Sequence, residues 1–174
     1  MSIEILYAER CKKPDHFPDI WEHLPTLREY AGRFSHVTEF GVRTGNSTIA
    51  FLAALYRNGG KLRSYDIESR QFAVPLLENV DWEFKIQDTG AYDFTIEPTD
   101  LLFIDSNHDY QHVVKELRHA KQVKHNIILH DTSPNWIGGT GPLRAMVEFV
   151  TGGNGWGIDK HFDNCNGLTI LHRK

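Results

Sequence analysis

The sequence predicts an α/β fold built on a mostly parallel sheet, and three observations carry that expectation. Short apolar runs alternate with stretches of helical periodicity along most of the 174 residues, the pattern of repeated strand–helix–strand units. The run Leu101 to Ile104 is continuously apolar, as a strand covered on both faces is. The first strand runs into a G-x-x-x-G turn, Gly41 to Gly45, that opens a helix, the arrangement that places a ligand at the carboxyl end of an open sheet.

The elements follow in order. Phe17 to Phe34 reads as two helical pieces: Pro18 and Pro25 each suit a first turn, and Ile20, Leu24, Leu27, Ala31 and Phe34 fall on one face. His36 to Phe40 is a strand, and Ser47 to Tyr56 an apolar helix capped by Asn46 or Ser47. Leu62 to Ile67 and Trp82 to Gln87 are strands. Tyr110, Val113, Val114, Leu117, Ala120 and Val123 mark an amphipathic helix after Leu101 to Ile104. Asn126 to Leu129 is a strand, Pro142 to Val150 a helix, and Leu168 to Leu171 a last strand. The glycine-rich pieces Gly138 to Gly141 and Gly152 to Gly157 read as surface loops. One domain is expected over residues 1–174, with a helical lead-in over 1–35 and the α/β core over 36–174.

Composition narrows the function. The net charge is −4 and no Lys/Arg run occurs, which argues against nucleic acid as a partner. No apolar run approaches the roughly 18 residues of a membrane span. The start, Met1-Ser2-Ile3-Glu4, has no signal-peptide core, so a cytoplasmic setting is expected. Cys11 and Cys165 lack metal-type spacing and make no disulfide framework. A homo-oligomer is compatible with all of this.

The loop after the first strand carries the cofactor argument. Glu39 puts a carboxylate at the strand end, which suits a cationic amine and repels a pyrophosphate. The spacing also departs from the G-x-G-x-x-G of dinucleotide sites. A tight turn with no ligand is the bland alternative. Asp66 ends the second strand 21 residues after Gly45, placed to accept hydrogen bonds from ribose hydroxyls, with Glu68 as fallback. Asp88-Thr89 follows the third strand, where it suits an adenine edge.

Glu39 to Thr48, Tyr65-Asp66-Ile67-Glu68, Phe103 to Tyr110 and Leu129-His130-Asp131-Thr132 together resemble the class I S-adenosylmethionine-dependent methyltransferases. More narrowly, they are similar to the small "methyltransferase domain 24" group, related to macrocin and mycinamicin O-methyltransferases. The resemblance covers about residues 17 to 172. It implies a Rossmann-like three-layer sandwich whose seven-stranded sheet has the order 3-2-1-4-5-7-6, with the last strand antiparallel. It implies that Glu39, Gly41 and Gly45 contact the methionine portion of S-adenosylmethionine, Asp66 the ribose and Asp88 the adenine. Asn46, Ser47 and Asp105 are further expected cofactor residues, and Arg43 is expected to point into the cofactor or the substrate pocket. Arg43 stands where the family's E-x-G-x-G-x-G has its middle glycine.

Asp105 and Asp131 end the fourth and fifth strands, 26 residues apart. On neighbouring strands, roughly 4.8 Å apart, their carboxylates can share a cation. Hard oxygens favour Mg²⁺ or Ca²⁺, and an imidazole from His130 or His108 tilts the set toward Mn²⁺, Fe or Zn²⁺. The expected metal set is Asp105, His130 and Asp131, with Mg²⁺ or Mn²⁺ as the ion. The antibiotic-tailoring relatives have Glu-Asp where this chain has His130-Asp131. The expected catalytic residues are Asp105, His108 and His130, since either histidine can remove the acceptor's proton without a metal. The bland readings are a helix cap for Asp105 and a turn for Asp131. The expected reaction is O-methylation of a hydroxyl on a small sugar or metabolite, with Trp21, Tyr92, Trp136 and Trp156 as candidate stacking groups. The rivals are a non-catalytic cofactor binder and a hydroxylase-like enzyme on the same scaffold.

Overall fold

The computed structural model describes residues 2–12, 20–69 and 72–174. Seven strands form one sheet: β1 (His36–Phe40), β2 (Gly60–Asp66), β3 (Val80–Ile86), β4 (Thr99–Ile104), β5 (Val123–His130), β6 (Trp156–Phe162) and β7 (Leu168–Arg173). Their order is β3-β2-β1-β4-β5-β7-β6. The first five are parallel, and β7 runs antiparallel to both β5 and β6. This is the Rossmann-like methyltransferase sheet expected above.

Two apolar layers sandwich the sheet, and the period of two along each strand assigns side chains to them. Leu101 and Phe103 pack with α1 (Ile3–Arg10), α2 (Leu24–Ala31) and α3 (Asn46–Asn58). Their neighbours Leu102 and Ile104 pack with α4 (Tyr110–Leu117) and α5 (Gly141–Thr151). Every residue of β4 is buried, so its unbroken apolar run reflects cover on both faces.

Several boundaries differ from expectation. The N-terminal stretch divides into a 3₁₀ turn, Ile20–His23, and α2, while residues 17–19 fall outside the described chain. Helix α1 was not expected; it packs beside α3 through Ile3. Helix α4 stops at Leu117, a 3₁₀ turn covers Arg118–Gln122, and Val123 opens β5 instead of ending the helix. Neither Asn46 nor Ser47 caps α3 by its side chain. The cap is Gly45 at φ +80°, because the Ser47 hydroxyl is turned inward onto Glu39. The glycine-rich piece after Gly152 is a loop only as far as Gly155, since Trp156 begins β6. Among the described residues, no helix is long and apolar enough to cross a membrane.

The sheet order reverses between β1 and β4, which are hydrogen-bonded neighbours. The crevice at their carboxyl ends is the switch point where open α/β sheets bind ligands.

Candidate functional site

A cavity of about 680 Å³ opens at that switch point, within the range of small-molecule and cofactor sites. Its lining comes from the loops after five strands. Gly41, Val42 and Arg43 follow β1, Asp66 and Glu68 end or follow β2, and Asp88 and Thr89 follow β3. Asp105, Ser106 and His108 follow β4, and Asp131 and Trp136 follow β5. Ile20 and Asn166 close the far side.

The β1 loop is held by two acids. Asp66 Oδ2 accepts hydrogen bonds from the Val42 and Arg43 amides, both at 2.9 Å, and Oδ1 accepts from the Glu68 amide at 3.1 Å. Asp66 therefore shapes the loop as well as facing the cavity. Glu39 does not line the cavity. It is fully buried beneath the loop, where its carboxylate accepts hydrogen bonds from Ser47 Oγ (2.6 Å), Ser64 Oγ (2.6 Å) and Thr48 Oγ1 (2.9 Å). Burial pushes its carboxyl up to about 7, against the pull of those three hydroxyls. Gly45 is also off the cavity wall. Asn46 and Ser47 line it, with the Asn46 amide oxygen taking a hydrogen bond from Arg10 at 2.8 Å.

Arg43, the residue standing in place of a glycine, has φ +48°. The loop keeps the left-handed turn that a glycine would adopt freely, and a side chain there carries a local penalty. The Arg43 amide hydrogen bond to Asp66 holds the residue in that conformation.

At the other end of the cavity two carboxylates and two imidazoles meet. His108 Nε2 lies 2.8 Å from Asp131 Oδ2 and 4.0 Å from Asp105 Oδ1. His130 Nδ1 lies 3.2 Å from Asp105 Oδ1 and 3.4 Å from Asp131 Oδ2, while its Nε2 is 2.9 Å from the Cys165 carbonyl oxygen. Among the described residues every hydrogen-bond partner of His130 is an acceptor, so both ring nitrogens carry protons and the ring is a cation. Burial alone would strip its proton, but Asp105 and Asp131 outweigh burial and hold its pKa well above the ordinary value. The same balance acts in reverse on Asp131: burial would raise its carboxyl, and hydrogen bonds from His108 and His130 hold it well below the usual carboxylate range. His108, opposed by burial, is raised by Asp131.

Backbone geometry aims these groups. Asp131 has φ +56°, a conformation costly for a non-glycine residue and typical of functional sites. It turns the chain sharply at the end of β5. Asp105 is not a helix cap, since Asp109 caps α4 by accepting from the Gln111 and His112 amides.

The expected metal set of Asp105, His130 and Asp131 is not the one the geometry gathers. His130 is 2% exposed, off the cavity wall, with both nitrogens committed. Asp105, His108 and Asp131 instead place three ligand atoms within 4.8 Å of one another. Of the aromatic candidates, Trp136 lines the cavity and meets the His108 ring edge-on at 4.5 Å. Trp156 is core, Tyr92 is 97% exposed, and neither they nor Trp21 line the cavity. His112, on α4, also lines it. The only sequence signal for His112 was the Glu116 four residues on. Cys11 and Cys165 are both free.

A family model described as "Methyltransferase domain" matches residues 38–132, more than half of the chain. No curated protein matches the sequence. Among solved structures, the chain is similar to an O-methyltransferase from Bacillus cereus in complex with SAH, at 16% identity and TM-score 0.60, covering 99% of this chain and 89% of that one. It is similar to the O-methyltransferase TomG from Streptomyces achromogenes, involved in tomaymycin synthesis and solved with SAM, at 14% identity and TM-score 0.61, covering 88% and 80%. It is also similar to the MycE methyltransferase of the mycinamycin pathway, solved with Mg, SAH and mycinamycin VI, at 14% identity and TM-score 0.63, covering 98% of this chain and 52% of that one. These likenesses concern the fold, and the family match concerns the sequence that builds the cofactor end of it: the chain belongs to this methyltransferase domain family and is a class I, S-adenosylmethionine-dependent methyltransferase.

Proposed function

We propose that the chain transfers the methyl group of S-adenosylmethionine to a hydroxyl of a small sugar or metabolite, with His108 as the base. One observation carries this reading: the His108–Asp131 pair, 2.8 Å apart, lies in the same cavity as the β1 loop and Asp66. In this reading Gly41 to Ser47 and Asp66 hold the cofactor, and Asp88 takes the adenine. Trp136 and Ile20 form the acceptor's apolar wall. O-methyltransferase activity in the structural neighbours agrees with the choice of oxygen.

The chemistry asks little of the protein beyond position and one proton transfer. The acceptor oxygen attacks the methyl carbon in line with the sulfonium. The new O–C bond forms as the C–S bond breaks, and the sulfur keeps the electron pair as neutral S-adenosylhomocysteine. Asp131 accepts from His108 Nε2–H, so Nδ1 is the nitrogen left to take the hydroxyl proton. His130, a buried cation, offsets the charge of Asp105 and Asp131 throughout.

A divalent ion is the second reading, favoured by the three donor atoms within 4.8 Å and by Asp131 Oδ1, buried without a donor among the described residues. Asp105, His108 and Asp131 would hold it, and the ion would lower the pKa of the acceptor hydroxyl.

Calorimetry with S-adenosylmethionine and S-adenosylhomocysteine tests the cofactor assignment; a folded sample that binds neither overturns it. A mass-shift screen of hydroxylated sugars and metabolites with labelled cofactor tests the acceptor class. Activity that survives exhaustive chelation supports the base, and activity that returns only with Mg²⁺ or Mn²⁺ supports the ion.

A further inference from the structure

Three side chains on the cavity wall converge on one buried carboxylate that the proposed transfer does not use. Glu116 lies on α4 with no exposed surface. Its Oε1 accepts hydrogen bonds from Thr89 Oγ1 and, at 2.5 Å, from Ser106 Oγ, and stands 3.3 Å from His112 Nε2. Its Oε2 is buried with no hydrogen-bond partner among the described residues. Thr89 follows β3, Ser106 follows β4 and His112 sits in the first turn of α4, and all three line the cavity.

A carboxylate in this position is costly. It shares the inward face of α4 with Val113 and Leu117, where an apolar residue would pack without the desolvation cost of a buried polar group. What the carboxylate does, and a leucine cannot, is draw donors from three separate segments onto one point. The effect extends one residue along the Thr89 segment. The Gly90 backbone lies so close to the His112 ring that a Cβ there would stand 2.7 Å from Cε1 and Nδ1. The Gly90 amide in turn donates to Asp88 Oδ1 at 2.8 Å. Asp88 thus gives one oxygen to its own loop and keeps the other as an acceptor, the group a purine's exocyclic amine requires.

We propose that Glu116 is the positioning residue of the purine-binding end of the cavity: through Thr89, Ser106 and His112 it fixes the slot in which Asp88 meets the exocyclic amine. This rests on the assignment of that cavity to S-adenosylmethionine.

The test compares Glu116→Gln with Glu116→Leu, using calorimetric affinities for S-adenosylhomocysteine and for S-inosylhomocysteine, in which a carbonyl replaces the amine. Glutamine keeps an acceptor oxygen, so its affinity for S-adenosylhomocysteine stays within about threefold of the parent. Leucine lowers that affinity by about tenfold or more and shrinks the preference over S-inosylhomocysteine by a similar factor. A folded Glu116→Leu protein with parental affinity and parental preference overturns the proposal. Should leucine prevent folding, the Thr89→Val/Ser106→Ala double variant removes two of the gathered donors from the cavity side. It should show the same loss of affinity and preference, and unchanged values there overturn the proposal equally. A parent chain that binds no S-adenosylhomocysteine fails the cofactor assignment itself, a result distinct from variants that bind as the parent does.

Discussion

Gly41 lies against Asp105 so closely that a Cβ on Gly41 would stand 2.0 Å from the Asp105 carbonyl oxygen. The contact joins the proposed cofactor loop to the strand end that carries the proposed reaction site, and the Asp105 amide donates to the Phe40 carbonyl at 2.8 Å. The same glycine has φ +86°. Gly41→Ala therefore meets both a backbone clash and a disfavoured backbone conformation. It should cost about 2 kcal/mol or more in urea unfolding and lower S-adenosylhomocysteine affinity by at least about tenfold. A variant matching the parent in both would separate the loop from the site.

The His108–Asp131 pair predicts a division between chemistry and binding. His108→Ala should lower kcat by about 10² to 10⁴ while S-adenosylhomocysteine affinity changes by less than about threefold. Asp131→Asn leaves a partner of similar shape but no longer fixes the imidazole tautomer, so it should lower kcat in the same direction. Steady-state kinetics beside calorimetry decides this: parallel losses in cofactor affinity would assign His108 to binding instead.

Much of this was legible in the sequence, and the rest was hidden for physical reasons. The core of the sheet could be read because β4 is buried throughout and β5 from Asn126 onward, and their apolar runs are too short for a helix. Strand β6 was hidden because it is an edge strand: Asp159, Lys160 and His161 are exposed, and glycines precede it. The position of Asp105 and Asp131 followed from strand ends, which spacing reveals. The roles of His108 and His130 did not, because they turn on which ring faces the cavity, and only the left-handed turn at Asp131 and the Cys165 carbonyl settle that. Glu39 illustrates the same limit. Its placement at a strand end was visible, but the hydroxyls that enclose it come from two separate elements, Ser47 and Thr48 from α3 and Ser64 from β2.

His130 is the cation between two carboxylates, and its removal leaves them facing each other. His130→Leu should destabilise the protein by about 3–5 kcal/mol, the range for breaking a buried ion pair from one side. Added Mn²⁺ should restore part of the loss, because a folded state that regains a cation is stabilised by ligand binding. Thermal melts with and without Mn²⁺ read both effects. A variant as stable as the parent would mean that Asp105 and Asp131 do not depend on His130.

His119 sets an acid sensitivity separate from that of the proposed base. The ring is 2% exposed and packs edge-on against Phe40 and Phe94, with Nε2 buried and without a hydrogen-bond partner among the described residues. Burial lowers its pKa from 6.5 to about 4. The folded state therefore refuses a proton that the unfolded chain accepts. Above pH 6.5 the ring is neutral in both states and contributes no pH dependence. As pH falls from 6.5 toward 4, the unfolded state gains the proton first and stability declines. Below about 4 both states are protonated and the loss levels off, at a size on the order of 3 kcal/mol. His119→Phe keeps an aromatic ring in the same packing and has nothing to titrate. The difference in urea midpoint between His119→Phe and the parent should consequently move in the variant's favour from pH 7 to pH 4, whatever its value at pH 7. A difference that stays constant across that range would show that the ring takes up its proton in the folded protein as readily as in the unfolded chain.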